Sequence, residues 1–487
     1  MDLQTGHASK LLALPLEMLI HISSYLTTAD YGNLRLVCKH LQASYFKPFA
    51  QEFFTKRQFM LTEFSLGTLV EISKSCYAPF LTHLIISVHS ILPEFDPTIR
   101  TNDDTADAAR SNKFMDECIK HQLLISTGQD CELLAEALQN LPGLKIIGMR
   151  NFNSTGRYRD GKEALWNSYG TTTLLTQTGL RLPQPLHRTR DQNIIAHVFV
   201  TILRALGKCS QTRPERFEVI LRGLALPEKA FYIPHYLEPS VIPVLSNLKA
   251  LFLDLNSAFG VFKSASKQQI QGMVLESFLH RVPALEHLRL NFQDVTRSYV
   301  GEFLQRLSRP CDGSGPSSGL DSVYGKPILE ASGLPRQIPP VNFPNLTQLD
   351  IGFLTIDPHV LMGLFKKFKP TLRGISLHRV ELQPEVAQRQ GNPDLWAKLF
   401  DMLAASGLTL TSISFTSLSQ STVDDNKVRT TFNTTGHKSQ DMWHWSGSHV
   451  DLPNVLKDLK KCLPIPPSTR WDPSDTGDYT EDSEEGL

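Results

Sequence analysis

Two periodicities of apolar residues divide the chain. Between Leu11 and Leu41 the period is helical. Leu19, Ile22 and Leu26 form one stripe and Leu14, Met18, Ile22 and Tyr25 an adjoining one, which leaves a narrow polar strip of Glu17, His21 and Ser24. Pro15 suits the first turn of a helix, where its missing N–H forfeits no bond, and Glu17 complements the positive end of the helix dipole. The pattern predicts a helix over 15–25. Thr27 and Asp30 have capping-box spacing, so a second helix is predicted to start there, with Leu34, Val37, Leu41 and Tyr45 on one side. Two short helices cannot bury two apolar faces against each other, so one face needs another surface. The pattern alone leaves two suppliers open: the rest of this chain, or a separate protein that takes a helix face in a groove.

Over 60–450 the theme changes to a helical stretch, a Pro, Asn or Gly break, then Leu-x-x-apolar-x-apolar. It recurs in LPGLKIIGM, LSNLKALFLDL, VPALEHLRLNF, FPNLTQLDIGF, KPTLRGISL and GLTLTSISF, with FLTHLIIS at Leu81 and FEVIL at Phe217 as further members. Such units suit a strand-plus-helix repeat. Leu288, Leu290 and Phe292 alternate on one side of a strand and His287, Arg289 and Asn291 on the other, so stacked units would leave a strand surface open. The competing architecture is a compact α/β domain, with longer and more β-branched parallel strands. Residues 1–10 read as a flexible start. Polar, turn-rich loops are expected near 93–112 and 309–341, and a disordered acidic tail at 464–487.

Composition excludes several classes. The 49 Lys+Arg balance 49 Asp+Glu in 487 residues, without the basic excess of a dedicated nucleic-acid or anionic-membrane binder. No apolar run reaches the roughly 18 residues that span a bilayer. Seven scattered Cys without CxxC pairs fit reduced thiols, hence a cytoplasmic or nuclear location.

The string LPLEMLIHISSYL followed by LRLVCKHL resembles an F-box, a pattern of Leu-Pro-x-Glu-apolar-Leu, then Ile and Leu one and two turns on, then Leu-x-Val-Cys-Lys. Here those positions are Leu14, Pro15, Glu17, Met18, Leu19, Ile22, Leu26, Leu34, Leu36, Val37, Cys38 and Lys39. Tyr31 and Gly32 depart from it, standing where leucines are common. Phe64 to Ser87 is similar to the segment after the F-box in filamentous-fungal members. The resemblance implies a small helical F-box over 11–55, followed in an α/β chain by an irregular leucine-rich-repeat-like solenoid. It also implies a Skp-family adaptor as partner, bound by Leu14, Pro15, Met18, Leu19, Ile22, Leu26, Leu34, Val37 and Cys38, and through it a cullin ubiquitin ligase.

Catalytic motifs are weak. DGSGPSSG lacks GxGxxG spacing and holds Pro316, GISLH around Ser376 lacks the second glycine of a nucleophile elbow, and no HxxxH or HExxH aligns two metal ligands. The expected function is a non-catalytic recognition subunit that needs no metal or cofactor. Its strand-facing Asp254, Arg289, Asn291, Asp350 and His378 are candidates for contact with an unknown target protein. An F-box scaffold without ubiquitin transfer and a cytosolic enzyme are the alternatives.

Overall fold

The computed structural model describes residues 10–89, 91, 104–153, 158–161, 167–179, 189–256, 273–293, 297–310, 340–383, 394–421, 427–430 and 441–463. The chain divides into two compact units, one formed by 1–224 with 234–247 and the other by 225–233 with 248–487.

The first unit opens with helices α1 (Leu16–Ser23), α2 (Thr28–Leu36) and α3 (Lys39–Phe54). Strands β1 (Lys56–Met60), β2 (His83–Ser87), β3 (Ile146–Arg150) and β4 (Arg216–Ile220) then pair in parallel and in chain order. Between and after them run α4 (Glu63–Ser73), α5 (Asp104–Ser126), α6 (Gln129–Gln139), α7 (Thr171–Thr178), α8 (Thr189–Lys208) and α9 (Glu238–Leu245). Parallel strands need covered faces, because their crossover connections return over the sheet. Phe59, Leu84, Ile86, Ile147, Met149, Phe217 and Val219 alternate onto one side and are sealed. The other side is buried as well, so the strand surface expected to lie open is closed in this unit. Its cover comes from the long connections: the Gln58 amide donates to the Phe152 carbonyl and to Ser168 Oγ, and Met60 packs with Ile91, Phe114, Cys118 and Leu174.

The second unit pairs β5 (Ala250–Asn256), β6 (His287–Gln293), β7 (Gln348–Ile356) and β8 (Gly374–Leu382) in the same parallel, sequential manner. Its helices are α10 (Met273–Leu279), α11 (Arg297–Leu307), α12 (Pro358–Lys367), α13 (Leu395–Ala405) and α14 (Leu452–Lys461). β9 (Ser412–Thr416) and β10 (Ser419–Ser421) run parallel to successive parts of β8. β11 (Lys427–Arg429) and β12 (Met442–Ser446) add antiparallel to β10 and β9. Leu251, Leu253, Leu288, Leu290, Phe292, Leu349, Ile351, Ile375, Leu377, Ile413 and Phe415 form the inner row and are buried.

Each of the eight segments read as a repeat contains a strand, which makes the chain a helical N-terminal region followed by a mixed α/β fold with parallel strands. Several expectations need correction. The helix predicted from Thr27 through Tyr45 is two helices, because Cys38 is extended at φ −155° and restarts the chain as α3. The loop placed over 93–112 gives way to α5 at Asp104, where the alanines of DDTADAAR raise helix propensity; 93–103 lie outside the described residues. Of the second loop, 311–339 lie outside them, as do 1–9 and the tail 464–487. β11 and β12 join different partners, and Trp443 of β12 stacks on Phe415 of β9 with centroids 5.5 Å apart. Among the described residues no helix is long and apolar enough to cross a membrane.

Burial, with the neighbouring Lys56, Arg150 and Arg216 charges, pushes the His83 pKa down to about 3. A histidine kept neutral in the fold binds a proton first in the unfolded chain, near its ordinary 6.5, so stability holds above that value and declines as pH falls toward the folded pKa. The urea midpoint should therefore drop on going from pH 7 to about pH 4, and His83→Gln should flatten the slope. An unchanged slope in the variant would contradict this.

Candidate docking site

The first three helices build a small core of their own. Leu19, Tyr31, Leu41, Tyr45 and Phe53 are buried together, with Leu11, Leu12, Leu14, Leu26, Leu34, Cys38, Phe49 and Phe54 packed around them. The Tyr45 hydroxyl donates to the Leu19 carbonyl at 2.9 Å, which ties α3 to α1. Tyr31 is 1% exposed and meets Tyr45 edge-on at 5.3 Å and Phe49 at 5.6 Å. Of the two residues that depart from the F-box pattern, Tyr31 thus lies within the cluster. Thr27 caps α2, its side chain accepting from the Asp30 N–H.

Two later segments hold these helices in place. Arg159 donates twice to Glu52, at 2.9 and 2.8 Å, reaches the Ser23 and Leu26 carbonyls, and lies over the Tyr31 ring at 4.6 Å. Asp160 accepts from the Thr28 N–H at the start of α2 and from its hydroxyl. Burial, then the Glu52 charge, pushes the Tyr31 hydroxyl pKa up to about 12. On the other side of α3, Phe54 stacks on Tyr77 at 4.1 Å and Phe46 packs against Phe80. The chain therefore covers α3 itself.

An apolar edge stays open. Leu16, Met18 and Ile20 of α1 and Tyr25 beyond it, with Leu36 at the end of α2 and Val37 after it, are 40–78% exposed. At 3.6 residues per turn Met18 stands across α1 from Leu16 and Ile20, so exposed apolar side chains flank the buried Leu19 on both sides. Of the expected adaptor contacts, Pro15, Met18 and Val37 lie on this edge, and Ile22 is half-buried. Leu14, Leu26, Leu34 and Cys38 lean on the core, and Leu19 lies within it. Leu16 and Ile20, outside both predicted stripes, stand one helical turn apart on a third face of α1.

The five candidate target contacts all fall on the outward side of β5–β8. Asp254 pairs in register with Asn291, then Gly352 and His378; Arg289 pairs with Asp350. The Asn291 amide donates to Asp254 at 3.0 Å, with both side chains 4% exposed. Asp350 lies 2.7 Å from His287 Nε2 and accepts from Gln348, also at 2.7 Å. Two of the acids are thus occupied by neighbours. Among the described residues no group of three or more His, Cys, Asp or Glu is placed to hold a metal ion.

Residues 11–49 match the family model described as F-box-like. No curated protein matches the chain. Among solved structures it is similar to the leucine-rich repeat-containing protein LegL7 from Legionella pneumophila, at 9% identity and a TM-score of 0.27, over 84% of this chain and 99% of that one.

The division between core and edge is measurable by urea denaturation. Leu19→Ala should cost about 2–5 kcal/mol, whereas Val37→Ala should stay within about 0.5 kcal/mol of the native chain. Equal losses would contradict it.

Proposed function

We propose that residues 11–54 dock on a Skp-family adaptor, and through it on a cullin ubiquitin ligase, while the strand-and-helix units, stacked as a leucine-rich-repeat-like solenoid, receive a target protein. The observation that carries this reading is the apolar edge of Leu16, Met18, Ile20, Tyr25, Leu36 and Val37, left open on the very segment that matches an F-box-like family. Fully burying one such side chain stabilises by about 1.5–3 kcal/mol, so several together offset the roughly 4–15 kcal/mol that association costs. The protein then supplies no acid, base or nucleophile. It holds a target lysine near a ubiquitin-conjugating enzyme, and the rate gain is one of proximity and orientation.

Met18→Asp combined with Val37→Asp places two charges on the edge without touching the core. Capture of a purified Skp-family adaptor should fall by at least about tenfold with the thermal midpoint kept, since 1.4 kcal/mol already gives that factor. Undiminished capture by this variant would rule the docking mode out.

A further inference from the structure

On the outward face of the second unit two guanidinium groups lie against aromatic rings. Arg289 on β6 lies over the Phe252 ring at 5.9 Å, and Arg379 on β8 over the Phe353 ring at 5.2 Å. Among the described residues neither guanidinium forms an ion pair, although Asp350 is the register partner of Arg289. The acids nearby are engaged elsewhere: Asp254 with Asn291, Asp350 with His287 and Gln348, and Glu381 with Ser421. His378 meets the Phe353 ring edge-on at 5.0 Å. Burial, then the charges of Arg379 and Arg289, pushes its pKa down to about 4, so it is neutral at pH 7.

The backbone at this place is unusual in a repeated way. Phe353, Arg379 and Ser417 each adopt positive φ, at 58°, 50° and 52°, one residue beyond the aligned positions Gly352, His378 and Thr416. Non-glycine residues hold that conformation at a cost, and such strain gathers where side chains are re-aimed for binding. Gly352 is required by the same packing: a Cβ there would come within 2.6 Å of Asn291 Oδ1 and 2.9 Å of the His378 carbonyl oxygen. Phe353 and Arg379 are thereby turned out beside each other on adjacent strands.

We propose that this face binds an acidic, extended segment of the target protein, with Arg289 and Arg379 taking its carboxylates and Phe252 and Phe353 its apolar side chains. The inference rests on the reading that the repeats receive a target. Charge complementarity selects the occupant, since a guanidinium held against a ring can bind a carboxylate through two N–H groups. A continuous polyanion such as nucleic acid fits poorly, because Asp254 and Asp350 lie among the same side chains and repel an unbroken row of charge.

Arg289→Gln with Arg379→Asn removes both charges and places at position 379 a residue that tolerates positive φ. The probe is a synthetic peptide of about ten residues with two glutamates and one aromatic, long enough to lie along a strand face, set against its glutamine counterpart. By fluorescence anisotropy at low salt, the full chain should bind the glutamate peptide at least about tenfold more tightly, and the double variant should lose that preference at an unchanged thermal midpoint. No binding by the native chain, or a preference that survives in the variant, overturns the proposal. Adaptor capture by the same two proteins separates the readings: capture kept without peptide preference sinks this inference alone, and peptide preference without capture sinks the docking reading alone.

Discussion

The packing of Leu19 against Tyr31 and Tyr45 decides what the N-terminal helices present to other molecules. Once those rings and Leu19 are enclosed, with the Tyr45 hydroxyl fixed to the Leu19 carbonyl, α1 is held so that Leu16, Met18 and Ile20 point away from the core. An amphipathic helix normally spends its apolar face on its own protein. Here the helices spend one face on a private core and α3 spends its other face on Tyr77 and Phe80. The exposed apolar side chains that remain would leave water if an adaptor covered them. Of the two suppliers that the pattern left open, the chain itself covers α3, while Leu16, Met18 and Ile20 of α1 stay exposed.

Arg159 and Asp160 give that edge a fixed orientation within its unit. One guanidinium bonded to a carboxylate, two carbonyls and a tyrosine ring satisfies the end of α1 and the side of α3 together. Removing it would leave Glu52 without its cation and open the Tyr31 ring to water.

Much of the local structure was legible because periodicity reports which side of an element is buried. The helical period marked α1, and the Leu-x-x-apolar-x-apolar spacing marked eight strands, since Leu288, Leu290 and Phe292 cannot all be sealed unless the chain is extended there. β1 was missed: KRQFM has no such spacing, and it forms because it pairs with β2, a contact that sequence pattern does not encode. The break at Cys38 was missed because Leu34, Leu41 and Tyr45 keep a helical spacing across it. The pattern did not separate the buried from the exposed members of the expected adaptor contacts, since Leu19 and Met18 stand one position apart. The Arg159 clamp joins residues 107 apart and left no local signal. Nor could pattern say that long connections close the strand surface of the first unit, or that on β5–β8 Asp254 and Asn291 are buried while Arg379 is exposed.

The central claim is that the edge around α1 is vacant until an adaptor covers it. Hydrogen exchange of the full chain, with and without a purified Skp-family adaptor, tests it most directly. The account predicts added protection confined to residues 14–25 and 34–38, with β5–β8 unchanged. Complex formation with no added protection in those stretches, or with protection centred on the strands, would contradict it.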